Sequence, residues 1–317
     1  MATLLTSASP WLLRFRAYLD ERFPLVGHGL LIVSYYSSNQ FLAEALTSPQ
    51  ARMRYSSATI VGALSLLAVF FHLRVFDEHK DYAEDCRNYP ERVLQCGLIT
   101  LRDLAWSGRI AIGFELLAAA SPAPLAAVAV VIGFSLLMRY EFFVGEWLRR
   151  RFLLYAVSHM LIMPLLAMLV FSYTTGRFFW EASGWYWFYA FVGFFVTFNW
   201  EISRKIRAPE DEREGIETYT KIFGTYGAAY AVLAVRVIDT AMVALVGWHL
   251  GLPWWFYAVL WGLYGVCLIG FLQYRFHTTR ATAKRMELYA GMYIIAFDLT
   301  LALALGFSRG VTYGWLP

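Results

Sequence analysis

Asp77, Asp81 and Asp85 stand at intervals of four in "FDEHKDYAED", directly after an apolar run. Residues four apart share one face of a helix, so this spacing makes an acidic stripe of up to about 12 Å at 1.5 Å per residue. Neighbouring carboxylates repel, and a divalent cation removes the repulsion. Oxygen-only ligands select a hard ion, and Mg²⁺ takes one or two carboxylates with water and phosphate oxygens filling its other positions. Arg74, Lys80, Arg87 and Arg92 lie beside the stripe. The implied chemistry is a polyphosphate held partly through Mg²⁺ and partly by side-chain cations. The plain alternative is a solvated helix end whose acids and bases merely balance one another.

The elements that must carry this stripe are hydrophobic. With 59% apolar, 18% aromatic and only 16% charged residues in 317, the composition excludes an ordinary soluble protein. A bilayer core needs about 20 apolar residues per helix. Nine windows qualify: 24 to 46, 57 to 76, 103 to 120, 123 to 143, 152 to 172, 185 to 203, 224 to 248, 253 to 273 and 290 to 308. Runs such as "ALSLLAVFF" do not alternate in polarity, which excludes a transmembrane β-barrel. The expected fold is therefore all-α, with nine transmembrane helices in one domain over residues 24–317. Residues 1–23 lack the features of a signal peptide. Trp11, Leu12, Leu13, Phe15, Tyr18 and Leu19 with Arg14, Arg16 and Arg22 predict a short amphipathic helix lying on the membrane surface. Cys86, Cys96 and Cys267 show no metal-ligand spacing and are read as reduced thiols.

Lysine and arginine favour the cytoplasmic side of a membrane protein. An inside amino terminus puts the loops after the second, fourth, sixth and eighth windows in the cytoplasm. These loops, their flanks and the terminus hold 21 of the 27 Lys and Arg residues; Arg52, Arg54, Arg177 and Arg309 lie opposite, and Arg109 and Arg236 fall within windows. This bias accounts for the net charge of +4 without a nucleic-acid partner, and no protein partner is evident. Arg236 and Asp239, three apart, are expected to pair; Glu115 and Asp298 have no local partner, and Asp298 is a candidate to pair with Arg109 or Arg236 across helices.

The second and sixth windows both run into charged stretches, "RVFDEHKDYAEDCRNYPERVLQCGLIT" (74–100) and "NWEISRKIRAPEDEREGIETYTKIFG" (199–224), each ending near a glycine before the next span. Two such loops in corresponding places are the arrangement of half-sites facing one another across a bundle.

"DEHKDYAED" followed by "RVLQCG" resembles the first Asp-rich motif of the UbiA superfamily of intramembrane prenyltransferases, N-x-x-x-D-x-x-x-D and then R-P-x-x-x-G. Asp77 takes the Asn place, Asp81 and Asp85 the two Asp places, and Arg92 and Gly97 the Arg and Gly, with Val93 replacing the Pro. Nine helices with motifs after the second and sixth also fit that family. The second loop departs from it: Gly215 and Gly224 match, but Glu217 and Thr218 stand where Lys and Ser are common, and the usual aspartates are missing. The resemblance implies Mg²⁺ on Asp77, Asp81 and Asp85. In the departing second loop, either Glu201, Glu210 or Asp211 supplies a second metal site from shifted positions, or Arg204, Lys205 and Arg207 bind the diphosphate in its place. The reading taken is a mixture, with Asn199 and Glu201 near the metal. It assigns the diphosphate of an isoprenoid substrate to Arg74, Lys80, Arg92, Arg204, Lys205 and Arg207, with Arg149 from the run 149 to 151. Ionisation of the substrate leaves a carbocation that needs a dry wall of aromatic faces, for which Phe191, Phe194, Phe195, Phe198 and Tyr140 are the candidates.

The activity implied is Mg²⁺-assisted transfer of a prenyl group to a hydrophobic acceptor by an integral membrane enzyme working at the cytoplasmic face. A terpene cyclase of the same fold, needing no acceptor, is the second reading; Asn199 and Ser203 echo part of a soluble terpene-synthase metal motif, but Arg207 stands where its Glu belongs. A transporter is the third, and the scarcity of charge at mid-span argues against it.

Overall fold

The computed structural model describes residues 6, 8–212 and 217–315. In chain order these form α1 (Trp11–Arg22), α2 (Leu25–Thr47), β1 (Met53–Tyr55), α3 (Ser57–Asn88), α4 (Leu101–Ala118), α5 (Pro122–Arg139), α6 (Gly145–Arg149), α7 (Phe152–Met160), α8 (Ile162–Thr175), α9 (Gly184–Arg204), α10 (Tyr219–His249), α11 (Trp254–Phe276), α12 (Arg280–Arg309) and β2 (Val311–Tyr313). Each of the nine apolar windows overlaps one or more helices. Among the described residues six helical stretches are long and apolar enough to cross a membrane: α3, α5, the joined α7 and α8, α10, α11 and α12.

Helix starts follow local chemistry. Thr100 accepts from the Asp103 amide at 3.1 Å while Asp103 accepts from Thr100, a reciprocal cap that begins α4. Thr279 opens α12 with a reciprocal cap to Thr282, and Thr218 opens α10 by accepting from the Lys221 amide. The fifth window is broken at Leu161, between α7 and α8. Pro164 explains the break, since it has no N–H for the carbonyl four residues back and its ring crowds that group.

Two features depart from the all-helical expectation. β1 and β2 pair in parallel, Met53 with Val311 and Tyr55 with Tyr313. Pairing across so much sequence leaves no local pattern to read. The fourth window ends early: α5 stops at Arg139, and Glu141, Phe142 and Phe143 form a left-handed turn with φ of 48°, 55° and 61°. Non-glycine residues adopt that region only when their surroundings hold them there.

The bundle has a mainly apolar core that also encloses polar groups, while its outer surface exposes many large apolar side chains, as lipid contact allows. In α2, Ser34, Ser37, Ser38, Asn39 and Gln40 are buried while Val26 and Val33 are exposed. Several of the buried polar groups are paired across helices. His72 on α3 meets Glu115 on α4 at 2.7 Å and Ser135 on α5 at 3.0 Å. Arg236 lies 3.0 Å from Asp239, the expected pair, and also donates to Asn199 of α9 at 2.7 Å. Asp298 pairs with neither arginine: its Oδ1 accepts from Ser38 and, at 3.0 Å, from Tyr189.

Helix α1 is more than a surface strip. Tyr18 is buried with Val75, Val93, Leu94 and Leu104, Arg14 donates to the Leu98 carbonyl at 2.7 Å, and Glu21 accepts from the Val93 amide at 3.3 Å. The helix is thereby clamped onto the loop between α3 and α4, while Leu12 and Leu13 stay exposed.

Candidate active site

The last turns of α3 carry the acidic stripe. Thirty-two residues make a helix of about 48 Å, longer than a hydrocarbon core of about 30 Å, so it has turns to spare beyond a membrane span. Asp77 lies 3.3 Å from Lys80, and Asp81 is exposed one turn on. Asp85 is differently placed: Arg92 approaches it at 3.0 Å and Arg22 at 3.4 Å, and Arg22 also holds Glu78 at 2.7 Å. Burial opposes the charge on Arg22, but Glu78 and Asp85 outweigh it and raise its pKa above the usual arginine value. Arg92 stacks on Tyr89 at 3.6 Å, Arg74 is half-buried on α3, and Arg87 is exposed.

Among the described residues no three His, Cys, Asp or Glu side chains converge as a ready metal cage. That suits Mg²⁺ brought in with phosphates, which asks the protein for one or two carboxylates. Asp77 and Asp81 supply two on one face, while Asp85 is already neutralised by two arginines.

A chain of contacts leads from this stripe to the next helices. Lys80 donates to the Tyr155 hydroxyl of α7 at 3.1 Å, and that hydroxyl donates to Glu141 at 3.5 Å. Arg149 grips both oxygens of Glu141, at 3.0 Å from Nε and 2.7 Å from Nη2. This clamp lies against the left-handed turn and packs on Gly145, where a Cβ would meet Glu141 Oε2 at 2.1 Å and force the carboxylate to shift. The Glu141 bond raises the Arg149 pKa, and Asp81 is close enough to add to the effect. One turn before Tyr155, the Phe152 ring receives the Lys205 ammonium at 4.9 Å. Helix α7 therefore joins the two charged loops.

The second loop differs from its expected role. Asn199 is buried, its Nδ2 donating to the Val232 carbonyl at 2.6 Å and its Oδ1 accepting from Arg236. Both ends of the amide are used, so Asn199 fixes α9 to α10 and offers nothing to a metal. Glu201 is buried between Arg204 at 2.5 Å and Lys205 at 2.8 Å, a neutralised cluster in place of a free ligand. Arg207 donates to the carbonyls of Arg204 and Ile206 at 2.8 and 3.1 Å. Gly215 lies outside the described residues. Gly97 and Gly224 both have positive φ, 81° and 72°, so the glycines at corresponding loop ends meet the same backbone requirement.

Two cavities adjoin here. A polar one of about 380 Å³ is lined by Tyr89, Arg207, Glu210, Asp211, Arg280 and Lys284, among others. A larger one of about 700 Å³ runs between α2, α3, α8, α9 and α12, with Tyr35, Phe70, Met163, Trp200 and Asp298 in its wall. Lys284 and Glu287 line both, so the two cavities adjoin along α12. The expected aromatic wall lies elsewhere. The cavity takes the Gly193, Val196, Thr197 and Trp200 face of α9; Phe194 and Phe198 are buried and stacked at 5.8 Å, and Phe191 points outward. Tyr140 is exposed and stacked on Phe143. The cavity follows the face with Gly193, where the helix surface is lowest, a choice that a list of phenylalanines does not predict.

Residues 30–307 match the UbiA prenyltransferase family. The chain belongs to that family. No curated protein matches the sequence. Two solved structures share the fold of this UbiA-family chain. One, of a digeranylgeranylglyceryl phosphate synthase, is 13% identical with a TM-score of 0.61, covering 92% of this chain and 98% of its own. The other, an apo UbiA homologue from Aeropyrum pernix K1, is 15% identical with a TM-score of 0.63, covering 87% and 97%.

In this UbiA-family member the structure thus gathers Asp77, Lys80, Asp81 and Arg149 around Tyr155 and separates from them Asn199, Tyr140 and the phenylalanines of α9. Sequence reasoning missed Tyr155 and the pocket cations Arg280 and Lys284. The pairing of Arg280 and Lys284 at i and i+4 beside a Thr cap was the available signal.

Proposed function

We propose that this chain is an integral membrane prenyltransferase that ionises an isoprenoid diphosphate with Mg²⁺ and transfers the prenyl group to a hydrophobic acceptor. The observation carrying this reading is the adjacent pair of cavities, a charged pocket and a larger apolar one that share Lys284 and Glu287 in their walls. That is the shape of an anionic head with a greasy tail. In this reading nine helices cross the bilayer and the amino terminus lies in the cytoplasm, with the site at that face of a plasma or inner membrane.

Asp77 and Asp81 hold the ion; Lys80, Arg149, Arg207, Arg280 and Lys284 hold phosphate oxygens. When bound, Mg²⁺ neutralises the charge that grows on the departing diphosphate. The side-chain cations do the same from fixed positions, the kind of preorganised stabilisation that contributes most to such steps. Arg149 is held by Glu141, so it arrives already oriented. The apolar wall keeps water from the allylic cation.

The test is diphosphate release by the purified chain from geranyl, farnesyl or geranylgeranyl diphosphate, with Mg²⁺ and with EDTA. Release that needs Mg²⁺ supports the reading, and no release at any chain length overturns it. A cyclic hydrocarbon formed with no acceptor present moves the assignment to a terpene cyclase.

A further inference from the structure

The connection between α5 and α7 carries a third cleft, of about 800 Å³, which shares no lining residue with the two cavities above. Phe143, Glu146, Trp147, Arg150 and Arg151 line it, among others. The elements on either side, α5 and the joined α7 and α8, are both long and apolar enough to cross a membrane. Their connection therefore lies at a membrane interface, whichever way up the chain sits. Its aromatic side chains face outward: Tyr140, Phe143 and Trp147 are 55%, 76% and 49% exposed. Rings of this kind settle between lipid tails and headgroups.

The cations of the cleft are unspent. Arg151 donates to the Trp147 carbonyl at 3.0 Å and lies 4.1 Å over the Trp147 ring, which fixes its guanidinium at the wall. Arg150 is exposed, and its side chain has no partner among the described residues. Glu146, four residues earlier, is the acid that helical spacing offers to Arg150. The two do not pair, and both line the cleft. Two arginines against one glutamate leave a single net positive charge. A monoanionic phosphodiester balances it, since guanidinium groups grip phosphate oxygens, and a polyol on that phosphate brings hydroxyls that donate to Glu146. Phosphatidylcholine cancels its own phosphate charge and offers Glu146 no donor. A phosphomonoester brings a second negative charge up to Glu146.

We propose that this cleft binds the headgroup of a hydroxyl-bearing anionic phospholipid of the phosphatidylglycerol class. Arg150 and Arg151 take the phosphate, Glu146 accepts from the headgroup hydroxyls, and Tyr140, Phe143 and Trp147 lie beside the upper part of the tails. Arg149, next in the chain, holds Glu141 in the left-handed turn, so the bound lipid steadies that turn. The inference needs only that the helices on either side span the membrane.

Native mass spectrometry tests it on the full chain released from nanodiscs of equal phosphatidylglycerol and phosphatidylcholine. Phosphatidylglycerol is expected to be enriched among the retained lipids by about tenfold or more, as hydrogen bonds between charged groups give. Arg150→Gln combined with Arg151→Gln is expected to abolish the enrichment. Arg16→Gln combined with Arg102→Gln, the same charge change at exposed positions outside the cleft, is expected to keep it. Arg150→Gln alone, which removes no contact within the protein, is expected to lower it. Amide exchange in residues 140–151 is expected to slow severalfold when phosphatidylglycerol is present, and excess inorganic phosphate is expected to leave the lipid bound. No enrichment in the wild type, equal loss in the two double variants, an unchanged Arg150→Gln, unchanged exchange or displacement by phosphate each overturns the proposal. None of these readouts depends on turnover, so a chain that releases no diphosphate but retains phosphatidylglycerol defeats the transferase reading and leaves the lipid site standing.

Discussion

The Lys80 ammonium donates to the Tyr155 hydroxyl at 3.1 Å, tying the acidic stripe of α3 to α7. Lys80 also faces Asp77 at 3.3 Å, so Tyr155 sets whether this cation leans toward its own carboxylate or toward an incoming phosphate. Tyr155→Phe keeps the ring and deletes the hydroxyl. A hydrogen bond to a charged group is worth about 1.5–3 kcal/mol, so diphosphate release is expected to fall by about tenfold or more. Steady-state kinetics check this, and an unchanged rate would show that Lys80 needs no positioning.

Asp81 and Asp85 share a helix face but not a fate. Asp81→Ala removes an exposed carboxylate and is expected to lower turnover by at least ~100-fold, the usual effect of losing a contact to transition-state charge. Asp85→Asn is expected to cost less in rate, because Asp85 serves Arg22 and Arg92, and to raise the Mg²⁺ requirement little. Magnesium titrations of both variants compare them; equal losses would return Asp85 to the metal site.

Asn199 is a structural residue here. Asn199→Ala strips Arg236 of an acceptor in a buried setting, which costs about 1–3 kcal/mol. The expected result is a lower melting temperature in detergent with the Mg²⁺ dependence of the surviving activity unchanged. A shifted Mg²⁺ dependence with full stability is the outcome that defeats this assignment.

Arg22 is the pin of the amino-terminal clamp, reaching both Glu78 and Asp85. Arg22→Ala leaves Glu78 buried without that cation, a situation that costs several kcal/mol where a pair is well buried. Amide exchange in residues 11–22 and 93–99 is expected to accelerate by about tenfold or more. Exchange limited to α1 alone, with the loop unaffected, would show that the helix does not brace the site loop.

Much of the molecule was legible in its sequence. Long apolar runs fix helices because a bilayer leaves the backbone no other partner, and the fourfold spacing of Asp77, Asp81 and Asp85 fixes one stripe because helical periodicity does. The Arg236 and Asp239 pair was legible for the same reason, since both lie on one helix. Even the glycines at the two loop ends were marked, and both prove to need positive φ.

What the tertiary structure decided are the relations between helices, which no local period encodes. It turned Asn199 toward Arg236 and Val232 and away from any ion, closed Glu201 between its own basic neighbours, and placed Tyr155 between Lys80 and Glu141. It chose the Gly193 face of α9 over the phenylalanine face for the cavity. It also gave Asp298 two donors on one oxygen and none on the other. Sequence spacing determines which residues share a face; only packing determines what that face meets, because burial and hydrogen-bond satisfaction are settled between elements.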